Sequence, residues 1–248
     1  MHKHIVCWSG GEDSTASVIL AHENNEPVDL IIFAEVMYDK SRGISGEHPL
    51  QMEFIYKTKS VFEQWGYDVV IVRGEKDYLD IFYHKIKKPA KHREHRGKHY
   101  GFPQSRLCSV KRDCKEKPIK QYLRSIGPYI EYVGICADEH TRLVSLSNSS
   151  KKGVQEKVSL LQKYGYTKTM TGPKCEEYGL RSPMYQYTRR GGCWFCPNAK
   201  ECEHRLLYEQ DPELYREFVA LEKTPNLAFD KWNPFCETLT ERLEILNY

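Results

Sequence analysis

The chain of 248 residues lacks several features that define large classes of proteins. It has no run of about 20 unbroken apolar residues, which a membrane-spanning helix requires. The first residues, MHKHIVCWSGG, become rich in glycine before a secretory apolar region could form. Internal repeats and low-complexity tracts are also absent. We therefore expect a cytoplasmic protein with no membrane partner.

Two nucleotide-binding patterns are missing as well. The sequence contains neither G-x-x-x-x-G-K-[ST] nor G-x-G-x-x-G, which weakens an assignment to the ordinary P-loop NTPases or to the Rossmann dinucleotide-binding proteins. Its nine cysteines are odd in number and unevenly placed, which suits an intracellular thiol, metal or cluster protein better than an extracellular disulfide framework.

The composition is that of a globular protein, with 40% hydrophobic and 29% charged residues. The net charge of +3 hides an uneven distribution. Between residues 84 and 124 there are fourteen Lys and Arg against three acidic residues, so this segment carries +11 and the rest of the chain −8. A solvated loop can have this composition, and so can a surface that binds the phosphates of a polyanion.

Apolar runs alternate with amphipathic segments along the first part of the chain. Strands are predicted at residues 4–8, 28–37, 68–72 and 131–137, and helices at 14–23, 48–65, 78–86 and 118–126. Strands separated by helices imply crossover connections and a parallel sheet covered on both faces. The predicted fold class is therefore α/β, with a doubly wound, mostly parallel sheet.

The pattern changes after residue 138. Residues 145–150, SLSNSS, are predicted as a turn, and the clearest later helices are at 212–221 and 238–246. We place a domain boundary near residue 145. Residues 1–145 then form the α/β domain, and residues 146–248 form a helical, cysteine-containing region packed on it.

A glycine-serine turn, SGGEDST, follows the first predicted strand at residues 9–15. The two glycines allow the backbone to approach a ligand, and the next amides open a helix whose positive end can hold an anion. The residues of this turn predicted to bind phosphate are Ser9, Gly10, Gly11, Asp13, Ser14 and Thr15.

This string resembles the SGGxDS signature of the PP-loop ATP pyrophosphatases. The resemblance implies an adenine nucleotide alpha hydrolase-like fold, in which the turn grips the pyrophosphate of ATP while a substrate is adenylated and pyrophosphate is released. It also implies that ATP and Mg²⁺ are used. The first α/β domain would then be the nucleotide-binding domain.

Two further stretches resemble the phosphoadenosine phosphosulfate (PAPS) reductase-like branch of that family. The first runs from GFP at 101–103 through RLCS at 106–109 to Lys115 and Pro118, and the second is GICADE at 134–139 followed by Arg142. Cys136 stands where the branch has arginine. Lys115 lies further from Cys108 than in the branch, so Cys114 is an alternative equivalent. The resemblance covers about residues 4–205.

The end of the chain departs from the reductases of this branch. Those enzymes need a C-terminal Cys-Gly-x-His tail, whereas Cys236 here is followed by Glu237. This departure favours the ATP-using relatives, such as the sulfur-transfer enzymes of tRNA thiolation and DNA phosphorothioation.

A second motif, GGCWFCP at residues 191–197, places Cys193 and Cys196 at C-x-x-C spacing, with Cys202 close behind. Two thiolates at that spacing can bind one metal ion or two irons of a cluster. A redox pair or small buried side chains would give the same pattern. The resemblance makes Cys108 the distant fourth ligand and favours [4Fe–4S] over Zn²⁺. The rival ligands are Cys114, Cys175 and His204, while Cys7 and Cys136 are expected to be ordinary buried residues.

Weaker candidates lie after the second and fourth predicted strands. Asp138, Glu139 and Arg142 follow a strand at the sheet edge where open α/β sheets bind ligands, so with Asp13 they are predicted to be catalytic and to order Mg²⁺ or substrate. Surface ion pairing is the alternative. Glu47 falls where relatives place an acidic residue near the nucleotide, and capping of the next helix explains it equally well.

These patterns together predict an ATP-dependent adenylating enzyme that supports sulfur transfer. The acceptor would be tRNA, DNA or another anion held by segment 84–124, and the sulfur donor a protein such as a cysteine desulfurase. The sequence leaves open whether the chain forms a homodimer. Two alternatives are a sulfonucleotide reductase acting on PAPS or adenylylsulfate, and a non-catalytic nucleotide-binding subunit of a nucleic-acid modification or defence complex.

Overall fold

The computed structural model describes residues 2–89, 92–104, 108–147, 154–189, 191–233 and 238–246. No helix within these ranges is long and apolar enough to cross a membrane. Arg106 of the RLCS stretch and Cys236, both considered in the sequence analysis, lie outside the described residues.

The chain forms two compact units that interleave along the sequence. The first unit comprises Met1–Ala34, Pro49–Val72 and Ile119–Gly191, and the second comprises Glu35–His48, Arg73–Pro118 and Gly192–Tyr248. The domain boundary predicted near residue 145 stays a prediction.

Nine strands lie in the described part of the chain. They are β1 (Lys3–Trp8), β2 (Leu30–Glu35), β3 (Met37–Asp39), β4 (Ile44–Ser45), β5 (Val69–Arg73), β6 (His99–Gly101), β7 (Tyr129–Tyr132), β8 (Val154–Val158) and β9 (Leu227–Phe229). Five of them form the central sheet in the order β5-β2-β1-β7-β8. Strand β1 is parallel to β2 and β7, and β7 is parallel to β8. The predicted α/β class with a mostly parallel sheet is confirmed.

Ten α-helices lie in the same ranges. They are α1 (Glu12–Glu23), α2 (Pro49–Gln64), α3 (Tyr78–Phe82), α4 (Lys117–Arg124), α5 (His140–Ser147), α6 (Leu160–Lys163), α7 (Lys168–Glu177), α8 (Glu201–Gln210), α9 (Pro212–Ala220) and α10 (Leu239–Leu246). A π-helical segment, Lys111–Glu116, leads directly into α4. Short 3-10 turns lie at Arg93–His95, Pro183–Gln186 and Leu221–Lys223.

Both faces of the central sheet are covered, as a parallel sheet requires. Val6 and Trp8 of β1 belong to one apolar cluster with residues of α1, α2, α6 and α7. Ile5 of the same strand belongs to a second cluster with Leu123 of α4. Because side chains alternate along a strand, these two clusters lie on opposite faces of the sheet.

The following three predicted elements differ from the structure, and one strand was not predicted. The helix predicted to reach residue 86 ends at Phe82, because Lys85 instead pairs with His99 in an antiparallel bridge. The strand predicted over 131–137 ends at Tyr132. Residues 145–147 are helical rather than a turn, and the Ser145 hydroxyl donates to the carbonyl of Thr141 within α5. Strand β8 was not predicted, since only helices were expected after residue 138.

The second unit is built around a large aromatic core. Its buried members include Tyr38, Tyr78, Trp194, Phe218 and Trp232. Two small two-stranded sheets accompany this core, with β3 antiparallel to β4 and β6 parallel to β9. The core therefore fixes the residues on either side of Trp194, which include the C-x-x-C motif.

Candidate functional site

The loop between β1 and α1 depends on a glycine at position 10. Gly10 has φ +73°, and a Cβ added there would lie 2.4 Å from Ile55 Cδ1 and 2.5 Å from Gln51 Nε2. Its carbonyl accepts a hydrogen bond from Gln51 Nε2 at 3.3 Å. Helix α2 therefore holds the loop from behind and leaves no room for a side chain.

Helix α1 presents its N-terminus at this loop. Gly11 is the N-cap, and as a glycine it has no side chain that could cap the helix. The first amides of a helix have no carbonyl partner within the helix, and the helix dipole places partial positive charge at that end. The loop therefore combines main-chain donors with a favourable field for an anion.

The hydroxyl groups of the loop have two different roles. Ser14 Oγ accepts from the Ser9 amide at 3.1 Å and donates to the Gly11 carbonyl at 3.1 Å, so it fixes the curve of the loop. Thr15 points the other way, because its Oγ1 accepts from Trp8 Nε1 at 2.9 Å in the buried core. The side chain of Thr15 thus ties α1 to β1.

Two cations from distant parts of the chain flank the loop. Lys168 Nζ lies 2.7 Å from both carboxylate oxygens of Asp13, and Thr171 Oγ1 donates to Asp13 Oδ1 at 3.0 Å. Arg181 Nε donates to Glu12 Oε1 at 2.8 Å. A lysine and an arginine therefore lie at the start of α1, each paired with a carboxylate of its first turn. Neither was expected from the sequence, because nothing in the segment YTKTMTG marks Lys168.

Tyr185 also reaches the start of α1. Its hydroxyl accepts from the Glu12 amide at 3.2 Å, and its ring lies 5.7 Å from the Arg181 guanidinium carbon. Burial raises the pKa of Tyr185, so the phenol stays protonated near neutral pH. The sequence gave no signal that Tyr185 would lie at the loop.

The segment after β7 approaches the loop closely. A Cβ at Gly134 would lie 3.0 Å from the Ser14 nitrogen and 3.1 Å from the carbonyl carbon of Asp13. This glycine lets the chain leave the sheet toward the loop, which explains why β7 is shorter than predicted.

That approach brings Asp13, Cys136 and Glu139 together. One ligand atom from each of these three residues lies within 4.8 Å of the other two. Cys136 is fully buried, and this burial together with the negative charges of Asp13 and Glu139 raises the pKa of the thiol to about 12. Cys136 was expected to be a buried residue in a strand. It is buried in the core, but it lies beyond the end of β7 and beside the two carboxylates.

Glu139 and Asp138 have separate partners. Burial acts to raise the pKa of Glu139, but hydrogen bonds from Arg142 and the Cys136 amide outweigh it and lower that pKa overall. Arg142 Nη1 donates to Glu139 Oε1 at 2.6 Å. Asp138 Oδ1 accepts from the Lys168 amide at 3.1 Å. Lys168 therefore contacts both Asp138 and Asp13, whereas Arg142 pairs with Glu139, whose carboxylate lies within 4.8 Å of that of Asp13.

The predicted cysteine ligands of the second unit, Cys108, Cys193 and Cys196, influence one another electrostatically. Burial raises the pKa of the Cys193 thiol well above its usual range, Glu47 raises it further, and Lys115 opposes this effect. The thiols of Cys196 and Cys108 act on Cys193 as well. Three of the four predicted ligands therefore lie close enough to influence one another. Cys202 is exposed in the first turn of α8.

The surroundings of Cys108 act on its thiol in opposite directions. Burial raises the pKa of the thiol overall, and the main-chain amides of Lys111 and Val110 offset part of that rise. The Lys111 amide lies 3.4 Å from Cys108 Sγ. Amides at the start of a helical segment stabilise a negatively charged sulfur. The buried carboxylate of Glu47, by contrast, increases the negative potential at Cys193.

The rival ligands are committed to packing. Cys114 is fully buried against Gly74, where an added Cβ would lie 3.1 Å from the Cys114 Cα. Cys175 is fully buried in the first unit and donates to the Glu12 carbonyl at 3.4 Å. His204 Nδ1 lies 3.1 Å from the Tyr215 hydroxyl in the core of the second unit. None of the three is presented as a ligand by its position.

No protein-family model matches the chain, and no curated protein matches it. Among solved structures, the chain is similar to the U34-tRNA thiolase NcsA from Methanococcus maripaludis with its [4Fe-4S] cluster. The two share 14% sequence identity with a TM-score of 0.43, over 99% of this chain and 81% of that one.

Proposed function

We propose that the protein is an ATP pyrophosphatase that adenylates an acceptor in support of sulfur transfer. The observation that carries this proposal is the loop at residues 9–15, where Gly10 turns the chain and the open N-terminus of α1 lies between Lys168 and Arg181. Donors and cations in this arrangement suit the pyrophosphate end of ATP better than a single small anion.

The chain's own residues would act mainly on the leaving group. An acceptor oxygen attacks the α-phosphorus, the bond from that phosphorus to the bridging oxygen breaks, and pyrophosphate departs as the acceptor becomes adenylated. Negative charge accumulates on the pyrophosphate, where the amides of α1 and the ammonium of Lys168 stabilise it. Asp13 positions Lys168 through both of its carboxylate oxygens.

Mg²⁺ fits the two carboxylates near the loop. It prefers oxygen ligands, and the oxygens of Asp13 and Glu139 lie within 4.8 Å of each other. The third member of that group, Cys136, keeps its proton and would not bind Mg²⁺. When bound, Mg²⁺ neutralises phosphate charge, and it would compete with Lys168 for Asp13.

The cysteine site fits a [4Fe–4S] cluster. Cys108, Cys193 and Cys196 would hold it, with Cys202 as the proposed fourth ligand. Such a cluster would supply an iron that carries sulfur. A sulfur nucleophile displacing AMP from the adenylated acceptor would complete the reaction.

Product analysis tests the proposal directly. Purified protein incubated with [α-³²P]ATP and candidate acceptors should release AMP and pyrophosphate in an acceptor-dependent manner. Lys168→Met should reduce this release at least 100-fold. The matched control is Lys163→Met, which removes a lysine paired with Glu26 elsewhere in the first unit and should leave release unchanged.

Three results would contradict the proposal. Release of ADP and orthophosphate would show cleavage at the wrong bond. Turnover of PAPS with thioredoxin would show a sulfonucleotide reductase, and ATP binding without turnover would show a non-catalytic subunit. For the cluster, an anaerobic preparation should be brown and contain about four irons per chain, whereas a colourless protein with one zinc would contradict the cluster assignment.

A further inference from the structure

The basic segment of residues 84–124 divides into two parts with different structures. Residues 84–99, here called the basic hairpin, fold back on themselves. Lys85 forms an antiparallel bridge with His99, and the Ile86 amide donates to the Lys98 carbonyl at 3.0 Å. The second part contains the π-helical segment Lys111–Glu116 and α4.

Three of the six described cations of the second part lie beside carboxylates. Arg112 pairs with Asp113 at 2.8 Å, Lys111 with Glu116 at 3.5 Å, and Lys117 Nζ lies 3.5 Å from Glu75 Oε2. Such pairs reduce the charge that a polyanion would meet. Segment 84–124 is therefore not a uniform polyanion-binding surface.

The basic hairpin differs in this respect. Its described cations are Lys85, Lys87, Lys88, Arg93, Arg96 and Lys98, and all but the half-buried Lys98 are exposed. Within the described ranges none of these six forms an ion pair with a carboxylate. The single acidic residue of the hairpin, Glu94, pairs with His92 at 3.0 Å. The hairpin therefore presents a concentrated, uncompensated positive charge.

Flat rings lie among these cations. The side chain of Tyr83, next to the hairpin, is 44% exposed, and its ring packs edge-on against that of His99 at 5.9 Å. The rings of His92 and His95 stack at 5.1 Å with an interplanar angle of 28°. Exposed planar rings between cations can stack with nucleic-acid bases while the cations contact phosphates.

We propose that the basic hairpin binds a single-stranded segment of a nucleic acid. This inference rests on the proposed function only in taking that nucleic acid to be the acceptor. Unpaired bases offer stacking faces beside their phosphates, whereas the bases of a duplex stack on one another and leave the rings without a partner. Single-stranded RNA and single-stranded DNA share this combination of bases and phosphates, and the test distinguishes between them.

The test measures binding of a fluorescein-labelled 20-nucleotide oligonucleotide by anisotropy, without ATP, across a range of salt concentrations. Single-stranded RNA, single-stranded DNA and duplex DNA of the same sequence form three arms. The variant Lys87→Gln/Lys88→Gln should weaken single-strand binding about tenfold at low salt. It should also reduce the slope of log K against log salt by about 1.4, since each phosphate contact to a single strand contributes about 0.7.

The matched control removes two cations that already have carboxylate partners. Arg112→Gln/Lys117→Gln changes the net charge by the same amount, and it should shift affinity less than twofold with no change in slope. Tyr83→Leu should weaken single-strand binding about fivefold without altering the slope, because it removes a stacking face and no charge. Unchanged thermal melting of each variant confirms that the fold is retained.

Several outcomes would overturn the inference. They are equal losses in the two double variants, tighter binding to the duplex than to single strands, and binding only to anionic phosphatidylserine vesicles. Comparing the RNA and DNA arms identifies which single strand is preferred, and a preference for either supports the inference. The binding assay contains no ATP and is therefore independent of the pyrophosphate-release assay. Oligonucleotide binding in the first assay without pyrophosphate release in the second would refute the proposed function alone. Pyrophosphate release without oligonucleotide binding would refute the role of the basic hairpin alone.

Discussion

Replacing Gly10 with alanine should destabilise the protein by about 2–5 kcal/mol. The backbone at this position has φ +73°, where a side chain costs about 1–2 kcal/mol. The new methyl group would also lie 2.4 Å from Ile55 Cδ1, and overpacking of this kind costs about 1–3 kcal/mol. Urea unfolding monitored by circular dichroism measures the change, and the variant should also bind pyrophosphate more weakly because the loop must shift.

A second substitution separates the two contributions. Ile55→Val removes the Cδ1 atom that the alanine would strike, and alone it should cost about 0.5–1.5 kcal/mol. The double variant should then be more stable than the sum of the single effects predicts, by about 1–2 kcal/mol. The cost of the positive φ would remain. Additivity within about 0.5 kcal/mol would refute the reasoning that α2 packs directly against the loop.

Three further predictions test other parts of the structure. Thr15→Val should destabilise by about 1–3 kcal/mol in urea because it leaves the Trp8 indole N–H without its acceptor, while Thr15→Ser should cost less; equal losses would contradict this. Burial lowers the pKa of His48 to about 4, below its value of about 6.5 in the unfolded chain. The unfolded state therefore binds more protons between these pH values, and the free energy of unfolding decreases as the pH is lowered from about 6.5 to about 4. His48→Gln should therefore remove up to about 3 kcal/mol of the pH dependence of unfolding across that window, and a variant with the wild-type slope would contradict this assignment. Cys108→Ser should lose most of its iron after anaerobic purification while Cys114→Ser retains it, and the opposite result would make Cys114 the ligand.

The parts of the fold that sequence predicts best are local. Strand β1, the turn at Gly10 and helix α1 follow one another within the first 23 residues, and glycine chemistry with apolar periodicity determines each of them. Helix α2, predicted over 48–65, ends at Gln64, just before Gly66 with φ +92°. The loop could therefore be found without the structure.

The partners of the loop could not be found in this way. Lys168 lies 155 positions from Asp13, and no local pattern distinguishes it from other lysines. Cys136 looked like a core cysteine because the apolar run GICA continues beyond the end of β7. Only the close approach of Gly134 to the loop shows that Cys136 lies beside two carboxylates.

Charge patterning could not show which cations are paired. The count of cations in segment 84–124 did not distinguish paired from unpaired charges, because pairing depends on side-chain geometry. Arg112 and Asp113 are neighbours in sequence and form a contact, whereas Lys117 pairs with Glu75 from another part of the chain. The polyanion-binding role of this segment stays a prediction.

A crystal structure with α,β-methylene-ATP, which resists cleavage at the proposed bond, tests the central claim most directly. The β- and γ-phosphate oxygens should lie about 2.7–3.2 Å from main-chain nitrogens at the start of α1, with Lys168 Nζ within the same range of one of them. A nucleotide bound with its phosphates away from Gly10 and Gly11 would contradict the claim.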